Sequence, residues 1–126
     1  MTQAIADTGR TSHIHLRVVR RLNDLAEDLS EMGLELFVFG SVAQTYPMAR
    51  KGADLDLGIR AKEVMRPEIR MERLRHVRRQ IENLPTIRPV DLVDFDTVGS
   101  DFKELALRNR LDFPLVEYGS DDTKST

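Results

Sequence analysis

Two aspartates with one residue between them are the feature of this 126-residue sequence that most clearly points to chemistry. In the run Asp54-Leu55-Asp56-Leu57, carboxylates alternate with leucines, so the pattern predicts a strand with both carboxylates on one face. Their Cα atoms would be about 6.5–7 Å apart. Because unpaired carboxylates on a strand face are costly, the pair favours a bound hard cation, and Mg²⁺ fits because it binds carboxylate and phosphate oxygens.

A Gly-Ser pair precedes these aspartates, with twelve residues between Ser41 and Asp54. It follows the apolar run 34–39, whose composition is typical of a buried strand. A glycine that leaves a strand lets the backbone approach a phosphate closely, and the N–H groups that open the next helical turn can face the phosphate charge. Ser41 adds a hydroxyl donor. Gly40 and Ser41 are therefore candidates for binding the phosphates of a nucleotide.

A later segment offers a third carboxylate. We predict a strand over 90–95, which carries Asp91 and Asp94, with Asp96 just beyond it. A third carboxylate on a neighbouring strand would allow a two-metal arrangement, in which one ion activates the attacking oxygen and the other stabilises the leaving pyrophosphate. Asp91 and Asp94 lie on opposite faces of an ideal strand, so only one of them can point toward the first pair. For Asp94 and Asp96, a solvated strand end is the default interpretation.

This order of motifs resembles the minimal nucleotidyltransferases of the DNA polymerase β-like superfamily, in which a strand ending in Gly-Ser is followed by Asp-x-Asp and a later strand Asp. The resemblance implies an α/β fold, a small mixed sheet flanked by helices, and transfer of a nucleoside monophosphate, AMP from ATP, to an acceptor hydroxyl. It also implies that Gly40 and Ser41 bind the nucleotide.

The resemblance further implies a metal and catalytic role for Asp54, Asp56 and Asp91, which would hold two Mg²⁺ ions together with the nucleotide. Asp91 would also act as the base. Its Val-Asp-Leu setting matches the hydrophobic–Asp–hydrophobic pattern of the family, and Asp94, in Val-Asp-Phe, is the reserve choice.

Small members of this family often act with a separate all-helical toxin of the HEPN type. The resemblance therefore implies an antitoxin that neutralises such a toxin by transferring AMP to a toxin tyrosine. Two alternatives stay open: a non-catalytic nucleotide-binding antitoxin or partner-binding module, and a nucleotidyltransferase for small molecules of the aminoglycoside kind. The first alternative arises because 42–45 lacks the arginine that many relatives carry after Gly-Ser. Arg50, Lys51 or Arg60 could supply that charge.

The elements that must position these residues follow from apolar spacing. One helix is predicted from Ser12, as the N-cap, to the glycine that follows it at 33, since apolar residues recur every three or four positions. An arginine-rich helix is predicted between Pro67 and Pro85, with a salt-bridged, solvated surface as the default and RNA or partner contact as the alternative. The other predicted elements are helical turns at 42–46, a loop at 50–52, strands at 53–59 and 90–95, a helix around 101–109 and an extended piece at 114–118.

Composition limits the function classes. A single domain over 12–118 is expected between flexible tails at 1–11 and 119–126. With 19 basic and 21 acidic side chains, the net charge of −2 argues against a strongly basic nucleic-acid binder. The absence of cysteine excludes disulfides and thiolate chemistry. No apolar run approaches the roughly 20 residues of a membrane span, so a soluble cytoplasmic protein is expected. The three histidines receive no role.

Overall fold

The computed structural model describes residues 11–118. The predicted tails lie outside this range, except for Thr11, which begins the first strand. Among the described helices, none has the length and apolar character needed to cross a membrane. In chain order, the elements are β1 (Thr11–His13), α1 (Leu16–Glu31), β2 (Leu34–Phe39), α2 (Gly40–Thr45), β3 (Met48–Arg50), β4 (Leu55–Ala61), α3 (Pro67–Glu82), β5 (Val90–Asp94), α4 (Ser100–Arg108) and β6 (Leu111–Asp112).

Four strands form the central sheet, in the order β5–β4–β2–β6, and β1 pairs with β3 in a separate antiparallel ribbon. β2 runs antiparallel to both β4 and β6, whereas β4 and β5 are parallel. Helices pack on both faces of this sheet. The predicted fold class, a small mixed α/β sheet flanked by helices, is therefore confirmed.

One face of the sheet forms the main core with α1 and α3. The leucines that alternate with the aspartates, Leu55 and Leu57, are almost fully buried here. They pack with the even-numbered residues of β2, because antiparallel pairing sets Val38 opposite Leu57. The stripe of α1 that packs on them is the one that the spacing predicts, and it includes Val18, Leu22, Leu25 and Leu29. Burial of the leucines therefore fixes the register that turns the aspartates to the opposite face.

That opposite face carries three phenylalanines. Phe95 packs edge to face on Phe37 and on Phe39, with ring centroids 4.9 and 5.1 Å apart, and α4 covers the cluster. Gly58 lies under two of these rings, since a Cβ at this position would overlap both Phe37 and Phe95. All three phenylalanines are buried core residues, and they lie between Asp56 at one end of this sheet face and Arg60 at the other.

The predicted start of α1 is wrong. The helix begins at Leu16, and His15 is its N-cap, with its Nδ1 accepting a hydrogen bond from the Arg17 N–H at 3.1 Å. Ser12 instead lies in β1, where it pairs with Ala49. The sequence gives no apolar run for either short strand, so the serine, a common N-cap residue, attracts the helix start.

Further bounds differ from the prediction, and the one that matters for the site is that of β4, which covers Leu55–Ala61 instead of 53–59, so that Asp54 lies just before the strand. Arg50, expected in a loop, is the last residue of β3, and the extended piece expected at 114–118 forms no strand. The last strand is the short β6, which comes before Pro114. Proline cannot donate to a sheet ladder, and the next N–H, that of Leu115, donates instead to the Asn23 side chain at 2.7 Å.

Candidate active site

Strand pairing brings the predicted site residues together at one end of the sheet. Phe39 is opposite Asp56 in the antiparallel pair, so Gly40, which follows it, lies beside the Asp56 carboxylate. Gly40 has φ +77°, and a Cβ on it would overlap Asp56 Oδ2. Across the parallel pair, Asp56 is opposite Asp91. The Gly-Ser motif, the Asp-x-Asp motif and the later strand aspartate therefore meet on one face.

The three carboxylates act on one another electrostatically. Partial burial of Asp56, followed by the negative charges of Asp91 and Asp54, raises the pKa of its carboxyl above the usual value. Asp54 and Asp91 are exposed, whereas Asp56 is half-buried. Repulsion of this kind is relieved when a cation binds, and carboxylate oxygens are ligands that Mg²⁺ prefers.

The aspartates do not form a complete cation site by themselves. Within residues 11–118, no three His, Asp or Glu side chains converge closely enough to hold a metal ion. Mg²⁺ commonly takes only one or two carboxylates and completes its octahedron with substrate phosphates and water. The donor chemistry of the site therefore fits an ion that arrives with a nucleotide, better than an ion held permanently by the protein.

Asp94, the reserve candidate, lies on the other face of β5 and belongs to a different network. Arg70 on α3 donates to Asp94, and its Nη2 also donates to Asp96 Oδ2 at 2.8 Å. Asp96 Oδ2 accepts a further hydrogen bond from the Ala61 N–H at 2.9 Å. Both carboxylates are thus ion-paired, Asp94 half-buried and Asp96 exposed, and they tie the end of β5 to α3.

The positive charge that relatives carry on an arginine after Gly-Ser is only partly replaced in this structure. Arg60 donates from Nε to Glu35 at 2.7 Å, so its charge is already balanced at the far end of the sheet face. Arg50 and Lys51 are exposed in the turn that leads to Asp54. Ser41 is also exposed, at the first turn of α2.

A cavity of about 230 Å³ adjoins the Gly-Ser motif. It lies between the end of β2, α2 and α4, and sequence reasoning had given no role to its side chains. Phe102 and Leu105 of α4 are 44% and 60% exposed there, which leaves an apolar surface beside Gly40. The amide side chains of Gln44 and Asn109 supply polar groups to the cavity. The lining residues are Phe39, Gly40, Gln44, Phe102, Leu105, Ala106 and Asn109.

Other hollows on the described surface, of 310 and 470 Å³, lie against α1 and the segment after β6. They touch none of the predicted site residues, so their size does not make them candidates for the chemistry described above.

Sequence reasoning also missed Arg88. Its Nη1 donates to the backbone carbonyl oxygens of Arg50 and Ala53, at 2.8 and 3.0 Å, in the turn just before Asp54. Because both acceptors are main-chain atoms, no residue type in the sequence signals the contact.

Comparisons with known proteins show a likeness in fold. No protein-family model matches the sequence, and a search of curated proteins gives no significant match. One similar solved structure is a toxin–antitoxin with AMP-PNP, with 17% identity, a TM-score of 0.47, and 85% of this chain and 77% of that chain covered. Another is the toxin–antitoxin MntA-HepT, with 16% identity, a TM-score of 0.43, and 86% and 75% covered. The likeness to these structures is one of overall fold.

Proposed function

We propose that this chain is a Mg²⁺-dependent nucleotidyltransferase that transfers a nucleoside monophosphate, AMP from ATP, to an acceptor hydroxyl. The observation that carries the proposal is the convergence of three separate motifs. Gly40 approaches the Asp56 carboxylate, and Asp56 is in register with Asp91 on the adjacent parallel strand. Carboxylates are uncommon in strands, so their gathering beside a positive-φ glycine favours a site for a charged phosphate substrate and its cation.

In this proposal, Asp54, Asp56 and Asp91 would hold Mg²⁺ together with the triphosphate, and the bound ions would neutralise the charge that develops on the transferring and leaving phosphates. Gly40 and Ser41 would orient the triphosphate, through close backbone approach and a hydroxyl donor. The acceptor oxygen would form a bond to the α-phosphorus as the bond from that phosphorus to the bridging oxygen breaks and pyrophosphate leaves. Asp91, exposed to solvent, would accept the acceptor's hydroxyl proton.

The cavity beside Gly40 supports the nucleoside end of the same substrate. It is lined by two phenylalanine rings, from Phe39 and Phe102, which offer apolar surface to a planar base. Its amides, Gln44 and Asn109, can each donate and accept hydrogen bonds to a base edge. An adenine placed here would keep its phosphates next to the Gly-Ser motif.

The acceptor is proposed from the sequence resemblance. Small relatives act beside a helical HEPN-type toxin, so we infer that the acceptor is a tyrosine hydroxyl of such a toxin and that this chain is the antitoxin. The expected test result is AMP on the toxin tyrosine after incubation of both proteins with ATP and Mg²⁺. A pair that fails to associate or to transfer label would contradict this assignment of the partner.

A second candidate function is nucleotide binding without transfer. It is favoured by one contact: Arg60, a basic residue on the same strand face as Asp56, is paired with Glu35. Because 42–45 contains no basic residue, stabilisation of the negative charge in the transition state would depend on the metal ions and on the exposed Arg50 or Lys51. This candidate predicts nucleotide affinity with no labelled product.

The experiment that tests the proposal uses the purified chain, Mg²⁺ and each α-labelled nucleoside triphosphate, with and without cell extract. Nucleotide binding is followed separately with a non-hydrolysable ATP analogue. We expect Mg²⁺-dependent transfer from ATP, and loss of transfer in the double variant D54N/D56N. D24N, on the exposed outer side of α1, is the matched control and should behave as the native chain.

The outcomes separate the alternatives. Transfer that persists in D54N/D56N would overturn the metal assignment. Mg²⁺-dependent binding without product would favour the non-catalytic function, and no binding by the native chain would overturn both. The double variant should stay folded, because asparagine has nearly the volume of aspartate and removes a negative charge that burial, and then the neighbouring carboxylates, disfavour at Asp56.

A further inference from the structure

Asp54 is held by contacts on both sides of it in the chain. The carbonyl of Ala53, on its N-terminal side, accepts a hydrogen bond from Arg88 Nη1 at 3.0 Å. The N–H of Leu55, on its C-terminal side, donates to the carbonyl of Pro89 at 2.8 Å. Two consecutive residues, 88 and 89, thus bind the chain immediately before and after the first aspartate of the motif.

The turn before Asp54 depends on the same guanidinium. The carbonyl of Arg50 accepts from the Ala53 N–H at 3.0 Å, which closes the turn, and it also accepts from Arg88 Nη1 at 2.8 Å. Arg88 itself is fixed at its backbone, because its N–H donates to Thr86 Oγ1 at 2.9 Å. One half-buried side chain therefore bridges the loop that enters β5 and the turn that enters β4.

Arg88 stands three residues before Asp91 in the chain. Its bridge therefore sets the position of Asp54 relative to Asp91, whereas Asp56 is set by the strand pairing itself. Without the bridge, the exposed turn before Asp54, which contains Gly52 at φ +83°, would lose two of its hydrogen bonds and would rely on the backbone bonds from Ala53 N–H to Arg50 and from Leu55 N–H to Pro89.

From these contacts we infer that Arg88 is a positioning residue for the metal–nucleotide site: it fixes Asp54 relative to Asp56 and Asp91, so that Asp54 can add a ligand to an ion that arrives with the nucleotide. The inference rests on the proposed function for the identity of the ligand. It assigns Arg88 no contact with substrate. Its effect passes through backbone hydrogen bonds to the turn at 50–53.

The test compares R88A, R88K and the native chain, with R79A as control, since Arg79 is an exposed arginine on α3. The first readout is hydrogen exchange without nucleotide or metal, in which R88A should lose protection at the N–H groups of Ala53 and Leu55. The second is binding of a non-hydrolysable ATP analogue at increasing Mg²⁺. The Mg²⁺ concentration at half-saturation should rise at least tenfold in R88A, and R88K, which retains N–H donors, should recover part of the loss.

A merely structural role would lower the melting temperature but leave the Mg²⁺ half-saturation of the folded protein unchanged. The inference is therefore overturned if folded R88A binds with native Mg²⁺ dependence, or if exchange at Ala53 and Leu55 does not change. If R88A does not fold, R88K and R88Q carry the same comparison. If the native chain shows no Mg²⁺-dependent binding at all, the proposed function fails and the positioning role fails with it. Native binding combined with unaffected variants overturns the positioning role alone.

Discussion

Replacement of Gly40 with alanine tests the contact between the end of β2 and the Asp56 carboxylate. An alanine at this position must adopt φ +77°, and its Cβ must occupy the place of Asp56 Oδ2. Gly52 provides a matched control, because its φ is +83° and no atom lies within 4 Å of a Cβ built on it. G52A therefore bears the backbone strain alone, whereas G40A bears the strain and the clash.

The expected magnitudes follow from these two components. A left-handed conformation costs a residue with a side chain about 1–2 kcal/mol. Forcing the Asp56 side chain off its rotamer adds about 0.5–1.5 kcal/mol. For a domain of this length, 1 kcal/mol corresponds to about 4 °C in melting temperature. We therefore expect G52A to melt roughly 4–8 °C below the native chain and G40A roughly 6–14 °C below it.

The assay is thermal unfolding followed by circular dichroism, with the same variants measured in an Asp56→Ala background. Once the carboxylate is absent, G40A should cost only as much as G52A. The predicted clash with Asp56 is contradicted if G40A destabilises no more than G52A in the native background. It is also contradicted if the destabilisation by G40A is unchanged when Asp56 is removed. A G40A protein that stays folded should also lose Mg²⁺-dependent nucleotide binding, because the displaced carboxylate can no longer face Asp91.

Two other predictions concern stability away from the Gly-Ser motif. Arg70→Ala leaves the half-buried Asp94 without its cation, so we expect it to lower the free energy of unfolding, measured in urea, by about 2–3 kcal/mol. Arg66→Ala removes an exposed ion pair and should lower it by less than about 0.5 kcal/mol. Equal losses in the two variants would contradict the role assigned to Arg70. Burial, with the nearby Tyr118 and Glu117 as smaller causes, raises the pKa of Tyr46 to about 12. The stability that its neutral hydroxyl contributes is therefore present below pH 10 and lost as the pH rises toward 12. In Y118F, phenolate absorbance at 295 nm should appear well above pH 10 while the protein stays folded, and a midpoint near 10 in the folded protein would count against this burial.

The strand face of the site could be predicted from the sequence because strand alternation is local. Leu55 and Leu57 must be buried, so Asp56 between them must point the other way. Asp54 lies just before β4, where strand alternation does not set its direction. The choice of Asp91 over Asp94 needed the family pattern as well, since alternation alone excludes one of the two without saying which. In the structure, Asp91 is opposite Asp56 in the parallel register, whereas Asp94 is opposite Ile59.

The contacts that hold the site could not be predicted, because their partners are distant in the chain or are backbone atoms. Arg70 reads as one of many arginines on a solvated helix, yet it binds Asp94 and Asp96, 24 and 26 residues away. Arg73, on the same helix, donates to the carbonyl of Met32. The exposed ion pair of Arg75 with Glu72 does fit the prediction of a salt-bridged surface.

The two sides of the proposed site differ in how much room they leave. On the α4 side, Gly40 adjoins a partly open hollow of about 230 Å³ that is bordered by Phe39 and Phe102. On the other side, β5 is the outermost strand of the sheet, and Asp91 is exposed on it. Among residues 11–118, no strand pairs with β5 on its outer side, so a bulky reactant can approach Asp91 from beside the sheet. The two sides of the proposed site therefore differ in their surroundings, because an apolar hollow adjoins Gly40 and an open sheet edge adjoins Asp91.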